Sequence, residues 1–558
     1  MQLGTDVVSF LPGFSANLAA LLLLSPGAAN GARAGRKAAT RQGPAHFTAA
    51  LNDNLSFDAC DGAVLLILAL GAAAHAGFVS VMGFSIDETY DVVMARHLAL
   101  SYQDHPPAIM WLIATAVHLF GGENHFVVRL PTLIIAAAQG WLLYRLTALA
   151  FDKRAGLFAV IALVLSPLFG FYLGAIAVTD GPLLFGLTGA AYFLARGLFD
   201  GRPIHSGDWL LSGVFFGIAC LSKFSAILVL PGIALFLLTV PRLRPLLLTA
   251  GPYVAALAAL VMTIPIIVWN AQNGFAAFVF QGSRAALDGH IHLDRFVAHA
   301  GFLLAMLGPL VGLIQVGTLA GALLRGPRDE RRWFFAMLAL APIVFFIGID
   351  LFGFEGVQGP HWLAPGYVFA FPLLGAAVAR WCQRFPRLVW GTIGCCVAAG
   401  AVAAFVFVSH TMTGWLENAV PAINGNYDPL VADDTDWGNL RARLEQDGFF
   451  DSRHFLLIGR YEYCFKAELV IKDAVPIACL SANPVSHALW RDDAALIGRD
   501  AIIVTNWWNA RQSIPQVSAK FASVEKLPPL WITDHGRRVL RVDLAIGHDL
   551  QRPIFEQH

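Results

Sequence analysis

Apolar runs of spanning or near-spanning length recur through most of this chain, and no other feature constrains its fold as strongly. They lie around residues 62–83, 131–150, 155–172, 181–199, 209–222, 225–240, 246–268, 297–324, 333–352, 362–380 and 388–409. A membrane-crossing helix needs roughly 20 apolar residues, so the pattern predicts a polytopic α-helical membrane protein with about eleven transmembrane helices. No single soluble core could take up this much apolar sequence: the chain is 57% hydrophobic and 14% charged, with a mean hydropathy of +0.62. Basic and acidic residues balance at 38 each, which leaves no global charge to attract nucleic acid.

The placement of the cations predicts orientation. Lys153, Arg154, Arg196, Arg202, Arg242, Arg244, the run Arg325 to Arg332 and the run Arg380 to Arg387 belong on the cytoplasmic side under the positive-inside bias. Residues 1–60 read as a cytoplasmic extension: the run Val7 to Leu24 is broken by Pro12 and followed, not preceded, by Arg33, Arg36, Lys37 and Arg41. The same count puts 84–130, 173–180, 269–296, 353–361 and everything after 409 on the outer face. That parity holds only if Ala108 to Gly121, apolar but short, lies along the interface, where Trp111 and His118 suit it. The chain thus divides into 1–60, a transmembrane domain over 61–409 with outer-loop helices in 84–130, and an extracytoplasmic domain over 410–558. In that last region the apolar runs His454–Gly459, Val475–Leu480, Ala501–Thr505 and Arg538–Leu544 alternate with helix-like pieces such as Tyr461–Lys472, predicting a small α/β fold.

The outer loops hold the chemistry. Ser85 to Pro107 gathers Asp87, Glu88, Asp91, Arg96, His97, Asp104 and His105 beside hydrocarbon, an arrangement that is costly unless water or a polar ligand meets it. Asp87 and Asp91 share a helical face with Glu88 and Tyr90 adjacent, although acids at a helix start are also explained by its dipole. Asp104-His105-Pro106-Pro107 forms a second polar knot, whose prolines enforce an extended connection. His105 there has three readings: a phosphate contact when protonated, a metal ligand, or a turn cap. Asp180 in T-D-G-P is either the N-cap of a helix begun by Pro182 or a rigidly held catalytic carboxylate. Lys223 and Arg129 suit either ion pairing with these acids or the binding of a phosphorylated ligand. Later outer loops carry Trp269-Asn270, Arg284, His290, His292, Gln358, His361 and Trp362.

Seven cysteines show no zinc-finger spacing. Cys60, Cys220, Cys382, Cys395 and Cys396 read as packing residues. Cys464 and Cys479 can form a disulfide if their region faces an oxidising compartment and the geometry allows. A divalent metal is compatible with the acids, but no compact ligand set demands one.

The motifs D-E-T-Y at 87–90, Y-Q-D-H-P-P at 102–107, V-R-L-P at 128–131, T-D-G-P at 179–182, L-S-K-F at 221–224 and H-W-L-A-P at 361–365 resemble, in order and spacing, the integral-membrane GT-C glycosyltransferases. The resemblance covers about residues 62–380. It points to the family 39-like group, which includes dolichyl-phosphate-mannose-protein mannosyltransferases, Rgt-type lipid A galacturonosyltransferases and the aminoarabinose transferase of lipid A. It implies a bacterial inner-membrane enzyme that moves a sugar from a polyprenyl-phosphate donor to a glycolipid (lipid A among them), polysaccharide or protein acceptor on the extracytoplasmic face. Asp87 would then be the general base, and Glu88 and Asp180 would orient the acceptor or stabilise positive character on the sugar. Tyr90, Asp104, His105, Arg129, Lys223 and His361 would line the substrate site. Where the aminoarabinose transferase has an acid followed by Lys, this chain has Asp104-His105, a departure that bears on the sugar and on how phosphate is held.

A transporter with an outer receptor-like domain is the alternative. Its relay residues belong near mid-span, whereas the acids here sit at the outer mouths. An intramembrane protease lacks support, since neither HExxH nor G-x-S-x-G occurs in a span.

Overall fold

The computed structural model describes residues 58–80, 82–199, 205–357, 359–420, 423, 426–480, 494–506 and 510–554. The expectations for residues 1–57, Arg202 and Gln358 lie outside these. Contacts divide the chain into two compact units, one comprising Met1–Phe78, Ala99–Ile109 and Arg129–Ala401, the other Val79–Leu98, Met110–Val128 and Val402–His558.

Among the described residues, seven helices are long and apolar enough to cross a membrane, and three bent helix pairs raise the number to as many as ten. Of the runs expected from the sequence, 209–222 forms the 17-residue helix Ser206–Ser222. Ala108–Phe120, at 13 residues, is too short to cross by itself. The bends have local causes. Lys153–Leu165 ends at Ser166, whose extended backbone (ψ 122°) is imposed by Pro167, and Pro167–Ala175 continues at 79°. Pro241 similarly turns the chain by 114° after Thr239. The run 297–324, expected as one span, is two helices, Leu293–Leu307 and Pro309–Arg325. Gly308 takes φ +84° between them, and Pro309 can donate no hydrogen bond backwards, so the helix stops there.

The first unit is built around one large apolar core from Leu143 to Leu374. Its helices approach closely where glycine allows. A Cβ on Gly186 would stand 2.5 Å from Ala219 N, so the helices Asp180–Phe199 and Ser206–Ser222 meet almost backbone to backbone. That contact matters because Asp180 begins the first helix and Lys223 ends the second. At another helix end a buried charge cluster stands in the same unit: Lys153 Nζ donates to Asp61 at 2.7 Å and pairs with Asp58 at 3.3 Å, while Tyr144 OH donates to Asp61 at 3.0 Å.

The second unit contains a five-stranded sheet in the order β2-β1-β3-β5-β4, with β1 His454–Ile458, β2 Ile477–Cys479, β3 Asp500–Asn506, β4 Phe521–Asp534 and β5 Arg537–Leu550. β1 pairs in parallel with both β2 and β3, while β3–β5 and β4–β5 are antiparallel. β3 is buried along its whole length, as a strand covered on both faces must be. Ile502 and Val504 join the core beneath the helix Tyr461–Ile471, and Ala501 and Ile503 join Ile514 and Val517 of the helix Ala510–Ser518 on the other face. Four of these strands coincide with apolar runs of the sequence. β4 does not: it is a largely exposed edge strand containing Pro528-Pro529, and its register shifts between Leu527 and Leu530 around them. Cys464 and Cys479 are joined by a disulfide with Cα atoms 6.0 Å apart.

Candidate active site

In the first unit a polar knot forms where helices end. Ser206–Ser222 stops at Lys223, whose extended backbone (φ −152°, ψ 137°) turns the chain into the short helix Phe224–Val229. Lys223 Nζ thereby reaches Asp180 and donates to both carboxylate oxygens, at 3.0 and 2.8 Å. Asp180 opens its helix two residues before Pro182, and its carboxylate grips Lys223; the expected N-cap placement gives way to this ion pair because the lysine is the stronger donor. The Asp180 side chain is buried, 3% exposed, and that of Lys223 is mostly covered, 13% exposed. A pair so desolvated persists only because each partner compensates the other.

His105 lies within the field of this pair and of Asp104 and Arg284. Burial pushes its imidazole below the ordinary histidine value, against the pull of Asp104 3.6 Å away. It is therefore neutral at neutral pH, and the fixed cations near it are Lys223 and Arg284. Gln281 Nε2 donates to the Asp104 carbonyl at 2.7 Å, tying the extended 99–107 segment to the helix Ala276–Arg284. Arg284 sits 4.5 Å from the centre of the Trp362 ring and 3.8 Å from Glu355. His361, beside Trp362, stacks on Tyr172 with ring centres 6.0 Å apart. Arg129 is buried in the helix His125–Ala150.

Gln281 also lines an apolar cavity of about 660 Å³ whose walls include Leu187, Phe216, Leu260, Ile267 and Phe278. The polar knot thus borders a volume suited to a hydrocarbon ligand. Sequence reasoning named most of the knot but not Gln281; its only signal was an isolated amide in the apolar stretch before Arg284.

In the second unit, Asp87 and Glu88 begin the helix Ile86–Arg96. Ser85 accepts from the Glu88 backbone N–H at 3.2 Å, and Glu88 accepts from the Ser85 N–H at 3.0 Å, closing a capping box. Glu88 is consequently fully buried, and Asp87 is the exposed carboxylate of that turn. Tyr90 packs edge-on against Phe465 at 4.7 Å. The helix start is held from outside itself: buried Lys466 Nζ donates to the carbonyls of Phe84 and of Thr435, the latter at 3.1 Å, and Asp436 accepts from Phe84 N–H at 3.2 Å and bonds His125 at 2.8 Å. Arg96 closes the far end, bidentate on Glu123 at 2.8 and 2.7 Å and donating to the Glu468 and Leu469 carbonyls. Among the described residues no three His, Cys, Asp or Glu side chains form a group able to hold a metal ion.

Residues 104–269 match the family described as dolichyl-phosphate-mannose-protein mannosyltransferase, and the fold is shared with a solved bacterial structure. The crystal structure of ArnT from Cupriavidus metallidurans bound to undecaprenyl phosphate aligns over 86% of this chain and 97% of its own, with TM-score 0.59 and 16% identity. Among curated proteins, the chain is similar to the lipid A galacturonosyltransferase RgtD of Rhizobium johnstonii, 28% identical over 48% of this chain and 55% of that one. It is also similar to the undecaprenyl phosphate-alpha-4-amino-4-deoxy-L-arabinose arabinosyl transferase of Yersinia enterocolitica, 26% identical over 46% and 47%. The alignments span about half the length of these curated relatives.

Proposed function

We propose that this protein transfers a sugar from a polyprenyl-phosphate donor to a hydroxyl acceptor, on the extracytoplasmic face of a bacterial inner membrane, with Asp87 as general base. The observation that carries the reading is the polar knot in which Lys223 pairs with Asp180 and Arg284 packs on Trp362, beside an apolar cavity of about 660 Å³. Such an arrangement suits a ligand that is phosphate at one end and hydrocarbon along its length. The relatives' names, which include lipid A and undecaprenyl phosphate, support the same chemistry.

The residues divide the work. Breaking the sugar–phosphate C–O bond leaves its electron pair on a phosphate oxygen, where fixed positive charge from Lys223, Arg284 and buried Arg129 stabilises it. A phosphate is a good leaving group, so a strong acid is not required there. The acceptor oxygen attacks the sugar carbon and loses its proton, which an exposed carboxylate such as Asp87 can accept. Glu88 keeps the turn that presents Asp87, and Asp180 keeps Lys223 in place. His105, neutral at neutral pH, acts as a hydrogen-bonding contact in this scheme rather than as a phosphate cation.

Mass spectrometry of envelope glycolipids and glycoproteins from cells with and without the gene tests the reaction class; identical profiles would remove it. Asp87→Asn tests the base: transfer should fall by about 10²–10⁴-fold with folding intact, and a fully active variant would reassign that role.

A further inference from the structure

A second apolar cavity in the first unit shares no wall residue with the one beside the polar knot. It holds about 400 Å³ between the helices Lys153–Leu165, Pro309–Arg325, Ala370–Arg384 and Pro386–Thr413, and none of its wall residues is charged. Leu374, Val378, Trp381 and Phe385 line it as one stripe at i, i+4, i+7 and i+11, so the cavity follows the helix axis for about 16 Å at ~1.5 Å per residue. That is about half of the ~30 Å hydrocarbon core, the depth of one leaflet. A phospholipid acyl chain spans one leaflet, whereas a polyprenyl chain exceeds it.

One end of this cavity is cationic. Trp381 belongs to the last turn of its helix, where an indole suits the membrane–water boundary. At that end Arg384 Cζ stands 5.2 Å from the ring centre of the wall residue Phe385, and Arg387 directly precedes the wall residue Leu388. Arg380, Arg384 and Arg387 are all exposed. Arg154 is close enough to act on Cys382, in the same turn as Trp381. These four arginines make no ion pair among the described residues, whereas Lys153, Arg242 and Arg332 each have an acid.

The cations also crowd one another. Arg380 and Arg384 are four residues apart, a like-charge spacing that costs a helix stability, and Arg380 stands in the field of Arg332 and Arg325 as well. The acids in that field are engaged: Asp152 accepts from the Ala155 N–H at 2.8 Å, and Asp329 holds Arg332. The helix Pro386–Thr413 begins here and adds the positive end of its dipole. An anion at this mouth relieves the repulsion, and the groove behind it takes hydrocarbon. We propose that the groove holds an acyl chain of an anionic phospholipid whose headgroup phosphate sits among Arg380, Arg384 and Arg387. The site is separate from the donor cavity and does not depend on the transfer reading.

Native mass spectrometry of the full-length protein in detergent tests it, with dioleoylphosphatidylglycerol and dioleoylphosphatidylcholine added at equal concentration. The two lipids share their chains and differ in net charge. The wild type should retain the anionic lipid about fivefold or more over the zwitterionic one. Arg384→Gln combined with Arg387→Gln should lower that retention by about tenfold or more, since each charge near an anionic headgroup is worth about fivefold. Val378→Trp fills the groove and should lower it comparably; thermal unfolding identifies a misfolded Val378→Trp, in which case the arginine variant alone decides. Excess undecaprenyl phosphate should leave the phospholipid bound. Equal retention of the two lipids by the wild type, unchanged phosphatidylglycerol binding in a folded variant, or displacement by undecaprenyl phosphate would overturn the proposal.

Discussion

Lys223 and Asp180 are 43 residues apart in the chain, and their pairing could not be read from either motif alone. L-S-K-F and T-D-G-P marked both residues as polar groups at helix ends; only the close packing of two helices through Gly186 brings them to 2.8 Å. Removing one partner strands the other inside the protein. Lys223→Met should therefore destabilise the fold by about 3–5 kcal/mol, the cost of breaking a buried pair, visible as a lowered Tm in detergent. An unchanged Tm would mean that water reaches Asp180 freely. His105 supplies a pH signature. Its folded value lies below the ordinary 6.5, so as pH falls from that value the unfolded chain takes up the proton first and stability declines. In His105→Gln that decline should shrink, while transfer at neutral pH survives because no cation is lost. A variant inactive at neutral pH would give His105 a direct catalytic task. The sequence left His105 open among three roles because nothing in D-H-P-P reveals which charges and apolar groups surround the ring in the fold.

The element that presents Asp87 depends on residues far along the chain. Ser85-Ile86-Asp87-Glu88 carries the S-x-x-E spacing of a capping box, a local signal that assigns Glu88 to the backbone. Ser85→Ala should cost about 1 kcal/mol and lower transfer through the loosened turn. Lys466 had no such signal: it lies in Y-E-Y-C-F-K-A and reads as one polar residue of an amphipathic helix. In the fold it is buried and donates to Phe84 and Thr435, where burial, opposed by Asp434 and Asp436, pushes its ammonium below the ordinary lysine value. Lys466→Met removes both hydrogen bonds and should lower kcat more than acceptor KM if the lysine positions Asp87. A pure rise in KM would point instead to the acceptor surface. The bend at Pro167 was legible as a proline, but the apolar run containing it looked continuous, because hydropathy does not register a missing N–H; Pro241 falls between two runs, where Arg242 and Arg244 already marked a break. β4 was hidden for the opposite reason: as an exposed edge strand with two prolines and several charges, it lacks the alternation that marks a strand.

At the scale of the whole molecule, orientation and redox state are one question. The positive-inside count assigns 410–558 to the extracytoplasmic side, and a disulfide between Cys464 and Cys479 persists only where the compartment is oxidising. Alkylation of the denatured protein, taken directly from membranes, should block the five free cysteines without reductant and all seven after reduction. Seven reactive thiols before reduction would put the domain on the cytoplasmic side and, with it, the exposed Asp87. A reporter joined after His410 gives the independent arm and should be active only outside the cytoplasm. Stability follows the same logic: closing a 15-residue loop is worth about 3 kcal/mol through the unfolded chain. Cys464→Ala should therefore lower the unfolding temperature of the oxidised protein and leave that of the reduced protein nearly unchanged. Because the helix Tyr461–Ile471 contains both Cys464 and Lys466 and packs Phe465 on Tyr90, the loss should reach the turn that carries Asp87. Transfer by the oxidised variant should then fall toward that of the reduced wild type.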